Sequence, residues 1–257
     1  MPALARIGSG PGGRRALRTG AAVLMLLVSP FFLSGCAMLD RSPQRIDGAR
    51  LLYRESFERA RARWRWTVGP GGEVGYDREA GCLDVLAPEG ATVWFETELV
   101  APLRIEFEVE VLDLEGEGRT DLSFFAPARD PASPNDPPFA PRDPRALEHF
   151  GDLRSYFLGY GMADNKVTRF ARLAGGDRTA DVLGQKRHEL YLLEPGPRYR
   201  FALVIHPPRV AVYRNRTLLF EDVDPEALSR GWFGIHFGGM HARLNDVQIY
   251  RLPPLKK

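Results

Sequence analysis

The sequence predicts an all-β domain, a β-sandwich of two antiparallel sheets. Three observations carry the expectation. Leu103-Arg-Ile-Glu-Phe-Glu-Val-Glu-Val-Leu-Asp alternates apolar and charged residues, the two-residue period of a strand with one buried face. On the order of a dozen strand-like runs are separated by Gly- and Pro-rich turns, a spacing typical of sandwiches. No long stretch carries a helical period, so there is no βαβ rhythm and no parallel sheet to expect.

In chain order the expected strands are 51–57, 82–87, 92–95, 103–113, 121–126, 155–161, 167–173, 199–206, 209–213, 217–221, 231–237 and 243–252. Turn chemistry supports them: Gly69-Pro-Gly-Gly, Pro88-Glu-Gly, Ala174-Gly-Gly-Asp, Pro195-Gly-Pro and Pro207-Pro. Short helical turns are expected at 58–65 and 144–150. In the 103–113 strand, Leu103, Ile105, Phe107, Val109 and Val111 form the buried face. Arg104, Glu106, Glu108 and Glu110 form the solvent face. Residues 127–144 hold seven prolines, which excludes a central strand. A loop of that length is often functional, and it is expected to wrap the rim of one sheet. Trp64, Trp66, Trp94 and Trp232 are expected in the core.

Composition sets limits. The chain has 257 residues, 44% apolar and 26% charged, with a formal net charge of +2. A core of good size is available, and one domain with no internal repeat accounts for residues 49–257. The charge balance excludes the concentrated basic patch of a dedicated nucleic-acid binder. A monomer is expected.

The amino-terminal segment reads differently. Residues 1–19 are basic and contain no acid, and an apolar run from Ala21 to Leu33 follows. That run is short for a membrane span and has the layout of a secretory signal. It ends in Leu33-Ser34-Gly35-Cys36, which resembles the lipobox of bacterial lipoproteins. The resemblance implies cleavage before Cys36, a lipid on its sulfur and membrane attachment through that lipid. Ala37 after the cysteine implies the outer membrane. The expected organisation is a lipoprotein signal peptide at 1–35, a flexible tether at 36–48 made extended by Pro43, and the sandwich at 49–257. Cys82 then has no intrachain partner and reads as a small buried hydrophobe.

Tyr199-Arg-Phe-Ala-Leu-Val-Ile-His, Val210-Ala-Val-Tyr-Arg-Asn-Arg, Gly231-Trp-Phe-Gly-Ile-His and Leu244-Asn-Asp-Val-Gln-Ile-Tyr-Arg-Leu follow one another. This order resembles the carboxyl-terminal half of concanavalin-like jelly rolls and the layout of 3-keto-disaccharide hydrolase-like domains. A nearer resemblance is to an uncharacterised lipoprotein family found beside polysaccharide-degradation genes. It rests on Arg119-Thr-Asp-Leu-Ser-Phe-Phe, Tyr156-Phe-Leu-Gly-Tyr-Gly, Asn165-Lys-Val-Thr-Arg-Phe-Ala-Arg, and Gly231-Trp-Phe-Gly-Ile-His with His241. The chain departs from the family pattern at His236, where Arg is usual, and at Val167, where Thr is usual. The resemblance implies a concanavalin-like jelly roll with a carbohydrate-active face and a glycan as partner.

Tyr160, His241 and Arg169 are the candidate catalytic residues. Asp121, Tyr156, Asn165, Arg172 and His236 are the candidate substrate-binding residues. Tyr rings stack on sugars through an apolar face and hydrogen-bond at the hydroxyl. Arg meets a carboxylate with two parallel hydrogen bonds, and His moves protons near neutral pH. Such a set fits β-elimination on an acidic or keto sugar by a lyase, or hydrolysis of a modified glycan. Each residue also has a structural reading: Asp121 as a turn cap or ion pair, the tyrosines as walls, Asn165 as a turn former, His236 as a core histidine. Arg169 and Arg172 fall on opposite faces of a regular strand. His241 follows Gly238-Gly-Met and is expected in a flexible loop. A non-catalytic glycan binder and a structural envelope lipoprotein are the alternatives to an enzyme. No zinc-spaced Cys/His cluster, phosphate-binding loop, Gly-x-Ser-x-Gly elbow or paired-glutamate strand motif is present. No metal or cofactor is therefore expected.

Cys36→Ser should abolish incorporation of labelled fatty acid and move the protein from the detergent phase to the aqueous phase. Unchanged labelling would sink the lipoprotein reading.

Overall fold

A computed structural model describes residues 48–58, 63–114, 120–140, 142, 150–176 and 180–254. These residues belong to one compact unit, Ser42–Lys257. The signal peptide, Cys36, Arg119 and all but Phe150 of the helical turn expected at 144–150 lie outside the described residues, as does the tether up to residue 47.

Among the described residues, fifteen strands form two antiparallel sheets. They are β1 Arg50–Glu55, β2 Trp64–Val68, β3 Glu73–Asp77, β4 Cys82–Ala87, β5 Ala91–Val100, β6 Leu103–Leu114, β7 Asp121–Arg129 and β8 Arg154–Gly161. After a left-handed turn at Met162–Asn165 come β9 Val167–Ala174 and β10 Asp181–Lys186. The chain closes with β11 Arg198–His206, β12 Arg209–Arg214, β13 Thr217–Val223, β14 Arg230–Gly238 and β15 Met240–Arg251. The eight-stranded sheet runs β13-β12-β11-β6-β15-β4-β3, with β1 also paired to β15. The seven-stranded sheet runs β10-β9-β8-β7-β14-β5-β2. The last two strands thus sit in the middle of the two sheets. This is the jelly-roll sandwich the sequence predicts.

The inner faces meet in an aromatic core. Phe107 of β6 lies 5.1 Å from Phe124 of β7, 5.6 Å from Phe201 of β11 and 5.5 Å from Phe233 of β14, centroid to centroid. Tilted and edge-on pairs at these distances gain beyond simple burial. The period-two reading of β6 placed Phe107 here. Three strands were not anticipated: β2, β3 and β10. Trp64 and Arg65 are strand, not the end of a helical turn, because β2 pairs along β5 from Phe95 to Ala91. Trp66 is half-buried, while Trp64, Trp94 and Trp232 are buried.

The expected solvent face of β6 is a correction. Arg104 and Glu106 are 5% and 1% exposed. β11 and β15 flank β6 and lay long polar side chains over it. Arg104 pairs with Glu106, Arg200 Nη2 stands 3.2 Å from Glu106 Oε2, and Arg200 also reaches Asp246 at 3.3 Å. Arg198 bridges Glu108 and Glu110. Alternation located the face, and cross-strand ion pairs closed it to water.

The proline-rich segment also differs from expectation. Pro127 belongs to β7, a strand between two neighbours, at a register shift between Ala126 and Arg129. A bulge is the place where a central strand tolerates proline. Beyond it the chain crosses the outer face of the seven-stranded sheet instead of its rim. Phe139 packs on Trp94 and Trp232, and Phe150 on Phe125. The free Cys82 is fully buried.

Glu106→Ala leaves Arg104 and Arg200 facing each other without their shared carboxylate. It should cost about 3–5 kcal/mol in urea unfolding, the usual penalty for orphaning a buried charge. Joint replacement of Arg104 by Met and Glu106 by Leu should recover much of that loss.

Candidate functional site on the outer face of the seven-stranded sheet

Strand period decides which side chains can meet here. In β7, Leu122, Phe124 and Ala126 join the inter-sheet core, so Asp121, Ser123 and Phe125 point outward. In β14, Phe233, Ile235 and Phe237 point inward, and Trp232 and His236 outward. Phe157 of β8, with Ala171 and Leu173 of β9, shares the outward face. Most of β7 and β14 is buried on both sides, so this outer face is itself covered.

Two features occupy it. The first is an open pocket of about 290 Å3 over β7, β8 and β9. Phe125, Phe150, Phe157, Met162 and Leu173 wall it, and Arg169 provides its polar edge. Phe125 stacks on Phe150 at 5.0 Å and tilts against Phe157 at 5.4 Å. Met162 lies over Gly159, where a Cβ would come within 2.0 Å of its sulfur. Only glycine lets that wall close. Arg169 Nε and Nη2 donate to Gln185 Oε1 at 3.3 and 3.1 Å. Among the described residues its guanidinium meets no carboxylate.

The second feature is a buried polar row across β5, β14 and β7. His236 stands directly opposite both Thr92 and Ser123 in register. Its Nδ1 lies 3.0 Å from Thr92 Oγ1, and Phe150 covers the ring at 5.4 Å. Ser123 donates to Asp121. Burial pushes the Asp121 carboxyl up to about 7, against the pull of the Ser123 hydroxyl. Burial holds the His236 imidazole down at about 4. At neutral pH His236 is therefore uncharged. It is a satisfied core histidine, one of the two readings open for it in the sequence.

The other candidate residues go elsewhere. Tyr156 and Tyr160 face the inter-sheet core and are 1% and 0% exposed. The Tyr156 hydroxyl donates to Asp224 Oδ2 at 2.6 Å and accepts from the Leu228 amide at 3.1 Å. Arg172 Nε lies 2.9 Å from the same Asp224 oxygen. Burial, then the Asp224 bond, raises the Tyr156 hydroxyl far above its ordinary range. The Tyr160 hydroxyl accepts from Arg214, and burial pushes it up to about 12. Asn165, in the left-handed region at φ 53°, clamps Leu193 with both amide atoms at 2.8 Å. His241 is a correction to the loop expectation: it lies in β15, paired across to Leu86 and Asp113. Its Nε2 is 2.9 Å from Asp84 Oδ1 of the adjacent β4, within the eight-stranded sheet.

Of the eight candidates, Tyr156 and Arg172 meet around Asp224, and Asp121 and His236 share the polar row. Arg169 stands alone at the pocket, on the face opposite to Tyr160, and His241 is on the second sheet. No acid–base pair forms among Tyr160, His241 and Arg169. Sequence reading missed the pocket's phenylalanines and Asp224. The signal for Phe125 was present: Leu122-Ser-Phe-Phe-Ala is apolar on both faces, as in a doubly covered strand.

A family profile described as a domain of unknown function, DUF6250, matches residues 85–247. The chain belongs to the DUF6250 family. The DUF6250 match takes in β5 to β14 and with them the whole outer face described above. Solved structures share its fold. A protein of unknown function with a galectin-like fold from Bacillus subtilis aligns at TM-score 0.61 and 16% identity, covering 79% of this chain and 97% of that one. The carbohydrate recognition domain of Emp46p aligns at 0.55 and 10% identity, covering 77% and 95%. A Bacillus licheniformis β-glucanase aligns at 0.53 and 12% identity, covering 78% and 98%. At these identities the likeness is one of fold. No curated protein matches the chain.

The polar row makes stability depend on pH in two opposed ways. Folded Asp121 keeps its proton to about 7, against 3.8 ordinarily. Its contribution therefore favours folding in acid and is lost as pH rises through that window. Folded His236 stays neutral down to about 4, against 6.5 ordinarily, so its contribution grows as pH rises over that range. Asp121→Asn should unmask a urea midpoint that climbs between about pH 4 and 6.5. Parallel wild-type and variant profiles would show that Asp121 is not buried as described.

Proposed function

We propose that the outer face of the seven-stranded sheet binds a glycan without transforming it. The observation that carries the reading is the aromatic pocket edged by Arg169. Met162, half-buried over the buried rings of Phe125 and Phe157, offers apolar surface for a sugar, and the half-buried Arg169 guanidinium, oriented by Gln185, meets a hydroxyl or carboxylate at the rim. Separation of Tyr160, Arg169 and His241 on three surfaces supports binding over lyase or hydrolase chemistry, because proton transfer needs its groups within hydrogen-bond reach of one substrate. Carbohydrate recognition and glucanase names among proteins of this fold support a glycan as ligand.

The leader supports an exported chain held by lipid on Cys36 at the outer membrane. There the face would meet extracellular or periplasmic polysaccharide.

A screen of neutral and acidic oligosaccharides against the protein, reading binding and ultraviolet absorbance of unsaturated products together, tests the proposal. Saturable binding without product is expected. Arg169→Ala should weaken it by about tenfold, as loss of one oriented charged hydrogen-bond donor does, at unchanged melting temperature. Product growth would replace the binding reading with an enzymatic one, and an absence of any binding would remove the glycan.

A further inference from the structure

Three strand ends bring three arginines to one place. Arg129 closes β7, Arg154 opens β8 and Arg230 opens β14. Arg129 and Arg154 are direct partners in the β7–β8 register. Like charges facing each other across a strand pair destabilise a sheet, so the surroundings of this pair matter.

Glu98 is the carboxylate they share. Arg230 Nε and Nη2 reach Glu98 Oε2 at 2.8 and 2.6 Å, and Arg129 takes Oε1. Hydrogen bonds from the two guanidinium groups hold the Glu98 carboxyl below its usual range. Each nitrogen of Arg129 is engaged: besides Glu98, its Nε donates to the Arg230 carbonyl at 3.0 Å and its Nη1 to the Pro134 carbonyl. Arg154 is different. It is exposed and meets no carboxylate among the described residues. Of the acids in the adjoining loop, Asp224 is occupied by Tyr156 and Arg172, and the exposed Glu226 makes no ion pair with Arg154 among the described residues. Arg230 Nη1 is likewise without a described partner. Arg154, which has no carboxylate among the described residues, and Arg230, which shares its one, both line a pocket of about 190 Å3, with Pro127 and Leu228 as apolar walls and Ser229 at its side.

We infer that this pocket is an oxyanion site, which takes the sulfate or carboxylate group of an acidic ligand between Arg154 and Arg230. Arginine forks suit such groups because two N–H donors match two oxygens. Glu98 holds Arg230 through Nε and Nη2, leaving Nη1 with no partner among the described residues, and Arg129 adds positive field beside it. The bound anion supplies the counter-charge that the Arg129–Arg154 pair lacks. None of these residues lines the aromatic pocket, so the inference stands if the sugar-ring reading fails.

The test is a titration of the full-length chain in neutral detergent with sodium sulfate, against sodium chloride at equal ionic strength. Trp232 fluorescence reports binding, since the Arg129 guanidinium lies 5.4 Å over that ring, and thermal unfolding reports stability. A saturable sulfate response that chloride does not reproduce is expected. Arg154→Gln and Arg230→Gln should each weaken it by about fivefold or more, as charge-assisted bonds are lost. Arg154→Glu should abolish the response yet raise the melting temperature in sulfate-free buffer, by pairing across the strands with Arg129. A merely structural arginine would lower it. Sulfate acting no differently from chloride, or an Arg154→Gln titration that overlays the wild type, overturns the proposal. Competition then identifies the source: displacement by a sulfated oligosaccharide assigns a sulfate ester, displacement by a uronate oligosaccharide assigns a carboxylate, and displacement by neither overturns the assignment to an acidic glycan.

Discussion

The contact of Phe107 with Phe124, Phe201 and Phe233 is the constraint on which the rest of the molecule depends. These four rings come from both sheets and lock one inner face against the other. Because side chains alternate along a strand, fixing Phe124 and Phe233 inward fixes Phe125 and Trp232 outward. The outer aromatic layer is therefore a consequence of the inner one. A shift of β7 or β14 by one residue would exchange the two layers and destroy both.

The outward layer is then available for a second task. Phe139 and Phe150 cover part of it, and the pocket with Arg169 lies beside that cover. Covering a sheet face removes water from whatever polar groups remain beneath. Asp121 and His236 carry the effect: both are driven toward their neutral forms by burial, and each keeps one hydroxyl partner, Ser123 or Thr92. A neutral acid beside a neutral imidazole is the low-energy way to bury both.

The fold was legible because β6 keeps period two and turn residues mark most of the strand boundaries. The short strands β2, β3 and β10 were not, since their five or six residues carry too few alternations to outweigh local charge and glycine. The site was legible only in part. Period two placed Arg169 and Arg172 on opposite faces, as found. It does not say which face of a strand looks inward when both are apolar, and so the tyrosines of β8 were assigned to a groove that they back onto from inside. His241 was misplaced by the glycines before it, which serve the turn between β14 and β15 and not a mobile loop. The closed face of β6 depends on arginines about ninety residues away in sequence, beyond the reach of any local pattern.

Strand order also has a temporal side. β14 separates β7 from β5, and β15 separates β6 from β4 and also receives β1. Until the final two strands have left the ribosome, neither sheet can close, and the pairings made last are among the most distant in sequence. Long-range pairing of this kind is slow, and unpaired edges invite association in the interval. The two sheets thus stay incomplete until β14 and β15 have been made.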